Sequence, residues 1–195
     1  MDTELFFRVA FAVVFAFFWA LRFYYGRKAN KNENTIKSEN LKQDKPIIFF
    51  VIGLPIITFG FLYVLMPSWI AAASLNLPST ARWIGIVLGL SGIGIYWWVL
   101  HSLGRQWSLF LVIKENHQLI DFGPYRWVRH PMYTVFFFMG FTFFLISSNG
   151  LIGLSWFGLF VSILSRITQE ESLLIDQFGD QYRGYMQKTG RFFPN

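Results

Sequence analysis

At 195 residues, 54% hydrophobic and 21% aromatic with a mean hydropathy of +0.41, the chain is too apolar for an ordinary soluble domain, and the bilayer is its expected solvent. The absence of cysteine excludes disulfides, thiolate metal sites and thiol catalysis. A net charge of +6 reads as membrane topology and attraction to anionic lipid, with nucleic acid not expected as a partner.

Five apolar stretches recur: Leu5 to Tyr25, Ile47 to Met66, Ala81 to Leu100, Met132 to Ser147 and Leu151 to Ser165. The first three run to about 20 residues each, enough for a hydrocarbon core of about 30 Å at a rise of about 1.5 Å per residue. The first begins with Asp2 and Glu4 instead of a basic region, so it is expected as a retained span and not as a signal peptide. Arg8 near its start is expected to snorkel to the outer surface, and Pro55 to kink the second span without ending it. Between them, Gly26 to Pro46 reads as a basic, solvated linker. The last two stretches reach only about 24 Å, so they must borrow flanking residues or thin the bilayer. "SSNG", Ser147 to Gly150, predicts a tight hairpin whose tip barely leaves the membrane.

Orientation follows from the cations, since Lys and Arg near span ends are kept on the cytoplasmic side. Apart from Arg8 and Arg82, all Lys and Arg fall in Arg22 to Lys45, Arg105 to Arg129 and Arg166 to Arg191, alternating with acidic or uncharged ends. The pattern predicts an all-α, multi-pass integral membrane protein with five transmembrane helices, N-terminus outside and C-terminus cytoplasmic. Residues 1–195 form a single membrane domain. Its first part, 1–101, holds three spans and the loop 26–46; its second, 102–195, holds a cytoplasmic loop, a short helical hairpin and an amphipathic helical tail that closes a site facing the cytoplasm.

Two polar stretches, Ser102 to Pro131 and Arg166 to Asn195, fall on that one face. In the first, "WSLFLVIKENHQLIDFGPY" alternates around Glu115 to His117 and predicts a short extended excursion. It leads into "GPYRWVRHPMY", Gly123 to Tyr133. His130 precedes Pro131, which pushes it out of the helical region at the threshold of the fourth span. A helix start with free backbone donors favours an anion or carboxylate. Tyr125 and Tyr133 add aromatic faces suited to an adenine, a ribose or a sulfonium. For Arg126, Trp127 and Arg129, anchoring in the lipid interface competes evenly with a role in the site. His101, His117 and His130 lack ligand spacing, so no metal is expected.

In the second stretch, "RITQEESLLIDQFGDQYRGYMQKTGRFFP", Arg166 and Glu170 share a helix face. An exposed i,i+4 pair is worth only about 0.2 to 0.5 kcal/mol, a small return for an arginine near the hydrocarbon boundary, so both are candidate site residues. Leu174, Phe178, Tyr182 and Tyr185 or Met186 follow helical spacing, with a stop and restart at Gly179 and Asp180.

These motifs, with the preceding "HQLI", resemble the isoprenylcysteine carboxyl methyltransferase family, particularly its small archaeal and bacterial members, and more distantly the phospholipid N-methyltransferases. The resemblance implies an integral membrane methyltransferase that uses S-adenosylmethionine without a Rossmann domain, in keeping with the lack of a G-x-G-x-x-G after a strand. Carried over residue by residue, cofactor contacts fall on His117, Gln118, Leu119, Ile120, Tyr125, His130, Pro131, Met132, Tyr133 and Glu170. Arg166 matches the substrate-side arginine, and with Glu170 forms the expected catalytic pair. Val135 and Phe143 depart from the glycine and glutamine of eukaryotic members, which puts the shape of the lipid tunnel in question more than the cofactor site.

The acceptor implied is a lipid-like or prenylated small molecule or peptide, methylated on a carboxylate. A lipid amine is the alternative, and would need Glu170 or Glu171 as a base. A membrane interaction subunit without turnover and a sterol-type reductase with a nicotinamide cofactor are the other readings.

Overall fold

The apolar runs leave no backbone partner but their own, so each folds as a helix. The computed structural model describes residues 3–30, 46–106 and 118–194, and places α1 at Thr3–Asn30, α2 at Pro46–Leu65, α3 at Ser79–Leu103, α4 at Pro131–Ser147, α5 at Gly150–Phe178 and α6 at Asp180–Lys188. Short 3₁₀ turns at Pro67–Ala73, Gly104–Gln106 and Gly123–Arg126 join them. Among the described residues there is no strand, only isolated bridges between Ser74 and Asn149 and between Val128 and Gly190. The excursion expected around Glu115 to His117 lies outside the described residues.

Among the described residues, three helices are long and apolar enough to cross a membrane: α1 over Thr3–Ala29, α3 and α5. A fourth candidate is broken, because Val51–Leu65 and Pro67–Ala73 meet at 113°. Helix α4 is apolar but shorter. Phe17, Leu54, Val87 and Leu154 are each more than half exposed, a surface that lipid tails accommodate and water does not. Helix α2 continues through Pro55.

Small residues and rings make the core. Along α3, a Cβ at Gly85, Gly89 or Gly92 would meet Leu145, Thr142 or Met139 of α4 at 3.0 Å or less, so glycine is what lets these two backbones approach. Phe143 is fully buried, with its ring centroid 5.2 Å from Phe11, 5.4 Å from Phe15 and 5.3 Å from Trp156. The position that departs from the eukaryotic glutamine is thus the centre of an aromatic cluster joining α1, α4 and α5.

At one end of the bundle two arginines are held by the protein. Arg8 Nη2 donates to the Val64 carbonyl at 2.6 Å, where the last turn of α2 leaves carbonyls unsatisfied. Arg82 donates to Glu4 at 2.5 and 3.1 Å, to the Tyr63 hydroxyl at 2.9 Å and to the Ile146 carbonyl at 2.9 Å, tying α1, α2, α3 and α4 together.

The tight hairpin expected at Ser147 to Gly150 joins α4 to α5, and its tip is covered. Ser147, Ser148 and Asn149 are buried beneath the broken end of α2: Leu75 N–H donates to the Ser148 carbonyl at 2.8 Å, and Leu77 N–H to its hydroxyl at 2.7 Å. Asn149 caps α5, accepting from Leu151 and Ile152, while its amide donates to the Ile70 carbonyl at 2.9 Å. Asn149→Ala removes the cap and strands buried backbone groups together, so it is expected to destabilise the fold by about 2 to 3 kcal/mol, read as a lower unfolding midpoint in detergent.

Helix α5 continues from the apolar span past Ser165 to Phe178, in keeping with the helical spacing of Leu174 and Phe178, and stops at Gly179, which takes a φ of +54°. Arg166, Glu170 and Glu171 therefore ride on one rod continuous with the apolar span.

Candidate active site

The site is assembled around the start of α4. Gly123 has a φ of +60°, and a Cβ there would fall 2.5 Å from the Ser102 hydroxyl, so only glycine lets the chain turn against the end of α3. The following 3₁₀ turn buries Tyr125, whose carbonyl accepts from the Tyr185 hydroxyl of α6 at 2.6 Å. Burial, reinforced by the negative charge of Glu170, pushes the Tyr125 hydroxyl far above its ordinary pKa. Tyr185 is pushed up to about 12, again by burial. Both therefore stay neutral near physiological pH and offer no phenolate base.

His130 stands before Pro131 with φ −122° and ψ 55°, outside the helical region as expected. It is buried, and its ring stacks on Tyr133 at 5.6 Å and 23°. The Tyr133 hydroxyl donates to Glu170 Oε2 at 2.7 Å, which joins the first polar stretch to the second. Arg166 is buried at 8% exposure, one turn below Glu170 on α5, and the charges of both act on the Tyr133 hydroxyl.

The tail straps this arrangement. Residues from Val128 to Thr134 run beside residues from Gly190 to Phe192: Arg129 N–H donates to Gly190 at 2.9 Å, His130 N–H to Arg191 at 3.2 Å, and the Thr134 hydroxyl to the Phe192 carbonyl at 3.2 Å. Under the strap lies Glu171, 4% exposed. Its carboxylate takes Arg129 Nε at 3.1 Å, His130 Nε2 at 3.2 Å and the Arg191 guanidinium. Arg129 also donates to the carbonyls of Met186, at 2.9 Å, and Thr189.

Tyr125, His130, Tyr133, Arg166 and Glu170 are thus brought to one place, with Pro131 buried and Met132 half-buried beside them. Gln118 is exposed, Leu119 and Ile120 are half-buried, and Ile120 packs on the apolar core. His117 lies outside the described residues. Arg129 is no lipid anchor: its side chain is 11% exposed and paired inward. Arg126 and Trp127 remain on the surface, the guanidinium 5.2 Å from the indole ring. The links that Glu171 makes to Arg129, His130 and Arg191 were not readable from spacing. The nearest signal was the adjacent pair Glu170 and Glu171: residues side by side on a helix point about 100° apart, so the two carboxylates must meet different partners.

This constellation lies almost wholly within residues 83–176, which match the family model described as the isoprenylcysteine carboxyl methyltransferase (ICMT) family. Over that segment the chain is similar to the ICMT family. Among similar proteins, an uncharacterized protein of Bacillus subtilis, YpbQ, is 35% identical over 82 residues, covering 41% of this chain and 48% of its own. The protein-S-isoprenylcysteine O-methyltransferase of Saccharomyces cerevisiae is 32% identical over 99 residues, covering 49% of this chain and 41% of its own. That of Tribolium castaneum is 35% identical over 82 residues, covering 42% and 29%. The matches thus span less than half the length of these relatives. A solved structure of the eukaryotic intramembrane Ras methyltransferase ICMT shares the fold, with a TM-score of 0.55 at 23% identity over 76% of this chain and 51% of that one. The ICMT segment begins in α3 and ends near the end of α5, so the tail strap lies beyond it.

Proposed function

We propose that the protein transfers a methyl group from S-adenosylmethionine to the carboxylate of a lipid-like, prenylcysteine-type acceptor at the membrane interface. The observation that carries this reading is the 2.7 Å bond between Tyr133 and Glu170, which unites the two motifs of the ICMT segment. In this reading the chain forms one membrane domain of five spans, counting the broken α2 and the short α4. The N-terminus lies outside, and the site with its tail faces the cytoplasm; the distribution of Lys and Arg supports this orientation.

The residues fit such a cofactor. Glu170 presents a carboxylate beside the aromatic faces of Tyr133 and His130, with Tyr125 close enough to feel its charge, a donor set suited to a cationic sulfonium and an adenine. Tyr125, the run from His130 to Tyr133 and Glu170 would hold it, with His117 to Ile120 as the remaining contacts. Bound there, S-adenosylmethionine supplies an electrophilic methyl on its sulfonium. Arg166 orients the acceptor carboxylate through a charge-assisted fork. That carboxylate is already ionised near neutral pH, so the site's work is alignment and exclusion of water.

Amine methylation would require a proton acceptor. Glu171 is engaged by three cationic or potentially cationic partners, and the loop and tail tyrosines are neutral, so Glu170 would have to serve alone. This favours the carboxylate. Calorimetry should show saturable binding of S-adenosylhomocysteine and none of reduced nicotinamide, and labelled methyl should enter a base-labile ester of a prenylcysteine analogue. A base-stable label in extracted lipid would move the reaction to an amine. His130→Ala should weaken S-adenosylhomocysteine at least about tenfold, and unchanged affinity would remove His130 from the cofactor set.

A further inference from the structure

Arg191 stands near the end of the chain with 48% of its side chain exposed, yet it reaches the buried His130 by two routes. Its carbonyl accepts the His130 backbone N–H at 3.2 Å. Its guanidinium grips both oxygens of Glu171, with Nε 3.3 Å from Oε1 and 3.1 Å from Oε2 and Nη2 also on Oε2. Oε1 of that same carboxylate lies 3.2 Å from His130 Nε2.

We propose that Arg191 is a positioning residue for His130, acting from outside the site through Glu171; the cofactor consequence rests on the methyltransferase reading. Arg129 and His130 both approach Oε1, and neither contact fixes the rotation of the carboxylate about its own axis. A guanidinium on both oxygens does fix it, because the planar fork and the planar carboxylate must align. With its plane set, Glu171 accepts from Nε2–H and thereby holds one tautomer, leaving Nδ1 as the acceptor nitrogen. The backbone bond from His130 to Arg191 fixes the other end of the same residue. A purely structural role predicts something different, since an ion pair exposed on one side contributes little to stability and nothing to the state of a buried ring.

Histidine labelled with nitrogen-15 in the detergent-solubilised full chain reads the ring directly. In the unaltered protein the His130 signals should be those of a single tautomer protonated at Nε2. Arg191→Ala should give exchange between the two tautomers and about tenfold weaker S-adenosylhomocysteine binding. Arg183→Ala, which breaks the exposed 2.9 Å pair with Asp180, should change neither. Should R191A not fold, R191Q keeps the side-chain length, lacks the fork and gives the same reading. His130 signals that do not move in either Arg191 variant would overturn the proposal, as would a loss of affinity with those signals intact. Unaltered protein that binds no S-adenosylhomocysteine would sink the methyltransferase reading, while the His130 signals would still decide the positioning role.

Discussion

Glu171→Ala is expected to destabilise the folded protein by about 3 to 5 kcal/mol, the cost of breaking a buried charge cluster by removing one member. Its carboxylate, 5% exposed, sits between side chains of Arg129 at 11% and His130 at 3%. Without it, Arg129 keeps only the carbonyls of Met186 and Thr189, and His130 loses the acceptor for Nε2. Water cannot easily repair the loss, because the strap from Gly190 to Phe192 covers the cluster by main-chain bonds that persist after the substitution. Thermal unfolding in detergent, with Glu171→Gln beside it, measures the effect. Glutamine keeps an acceptor for Nε2 but loses the charge, so it should fall between the two. A change under about 1 kcal/mol for alanine would mean the cluster behaves like a surface pair.

The helices were legible because apolar length has one meaning in a bilayer: every expected stretch lies on a helix, and Pro55, the Gly179 stop and the restart at Asp180 follow from local chemistry. Local chemistry also marked His130, through the proline after it. What stayed hidden depends on partners far away in the chain. Arg129 could be an anchor or a clamp, and only the placement of Glu171 and the carbonyls of Met186 and Thr189 decides. Nothing near Arg8 in the sequence shows that α2 ends beside it with an open carbonyl at Val64. The SSNG turn was legible as a tight hairpin but its cover was not, because the segment that covers it, from Ile70 to Leu77, follows a different helix. Within the site, spacing could say that Arg166 and Glu170 share a face, but not that Glu171, one residue on, faces the tail.

Arg166→Ala is expected to lower methyl transfer by about 10²- to 10³-fold at saturating donor, with S-adenosylhomocysteine affinity largely unchanged. Arg166 lies about 6 Å along α5 from Glu170, on the side of the apolar span, at the spacing of one helical turn. It is 8% exposed, and an arginine so buried at the edge of hydrocarbon is costly unless its charge has work to do. Glu170 meets the Tyr133 hydroxyl on the α4 side, beside His130 and the polar loop. A water-soluble donor approaching from that side and a lipid-borne carboxylate approaching from the span would therefore meet with Glu170 toward the first and Arg166 toward the second. On the proposed function, removing the guanidinium would take away the fork that aligns the acceptor and leave the donor's contacts in place. Arg166→Lys sharpens the test. An ammonium keeps the charge without the planar pair of donors, so partial recovery with lysine would assign the remaining loss to alignment. Calorimetry with S-adenosylhomocysteine beside methyl transfer to a prenylcysteine analogue separates the two roles, and an equal loss of binding and turnover would move Arg166 from the acceptor to the donor.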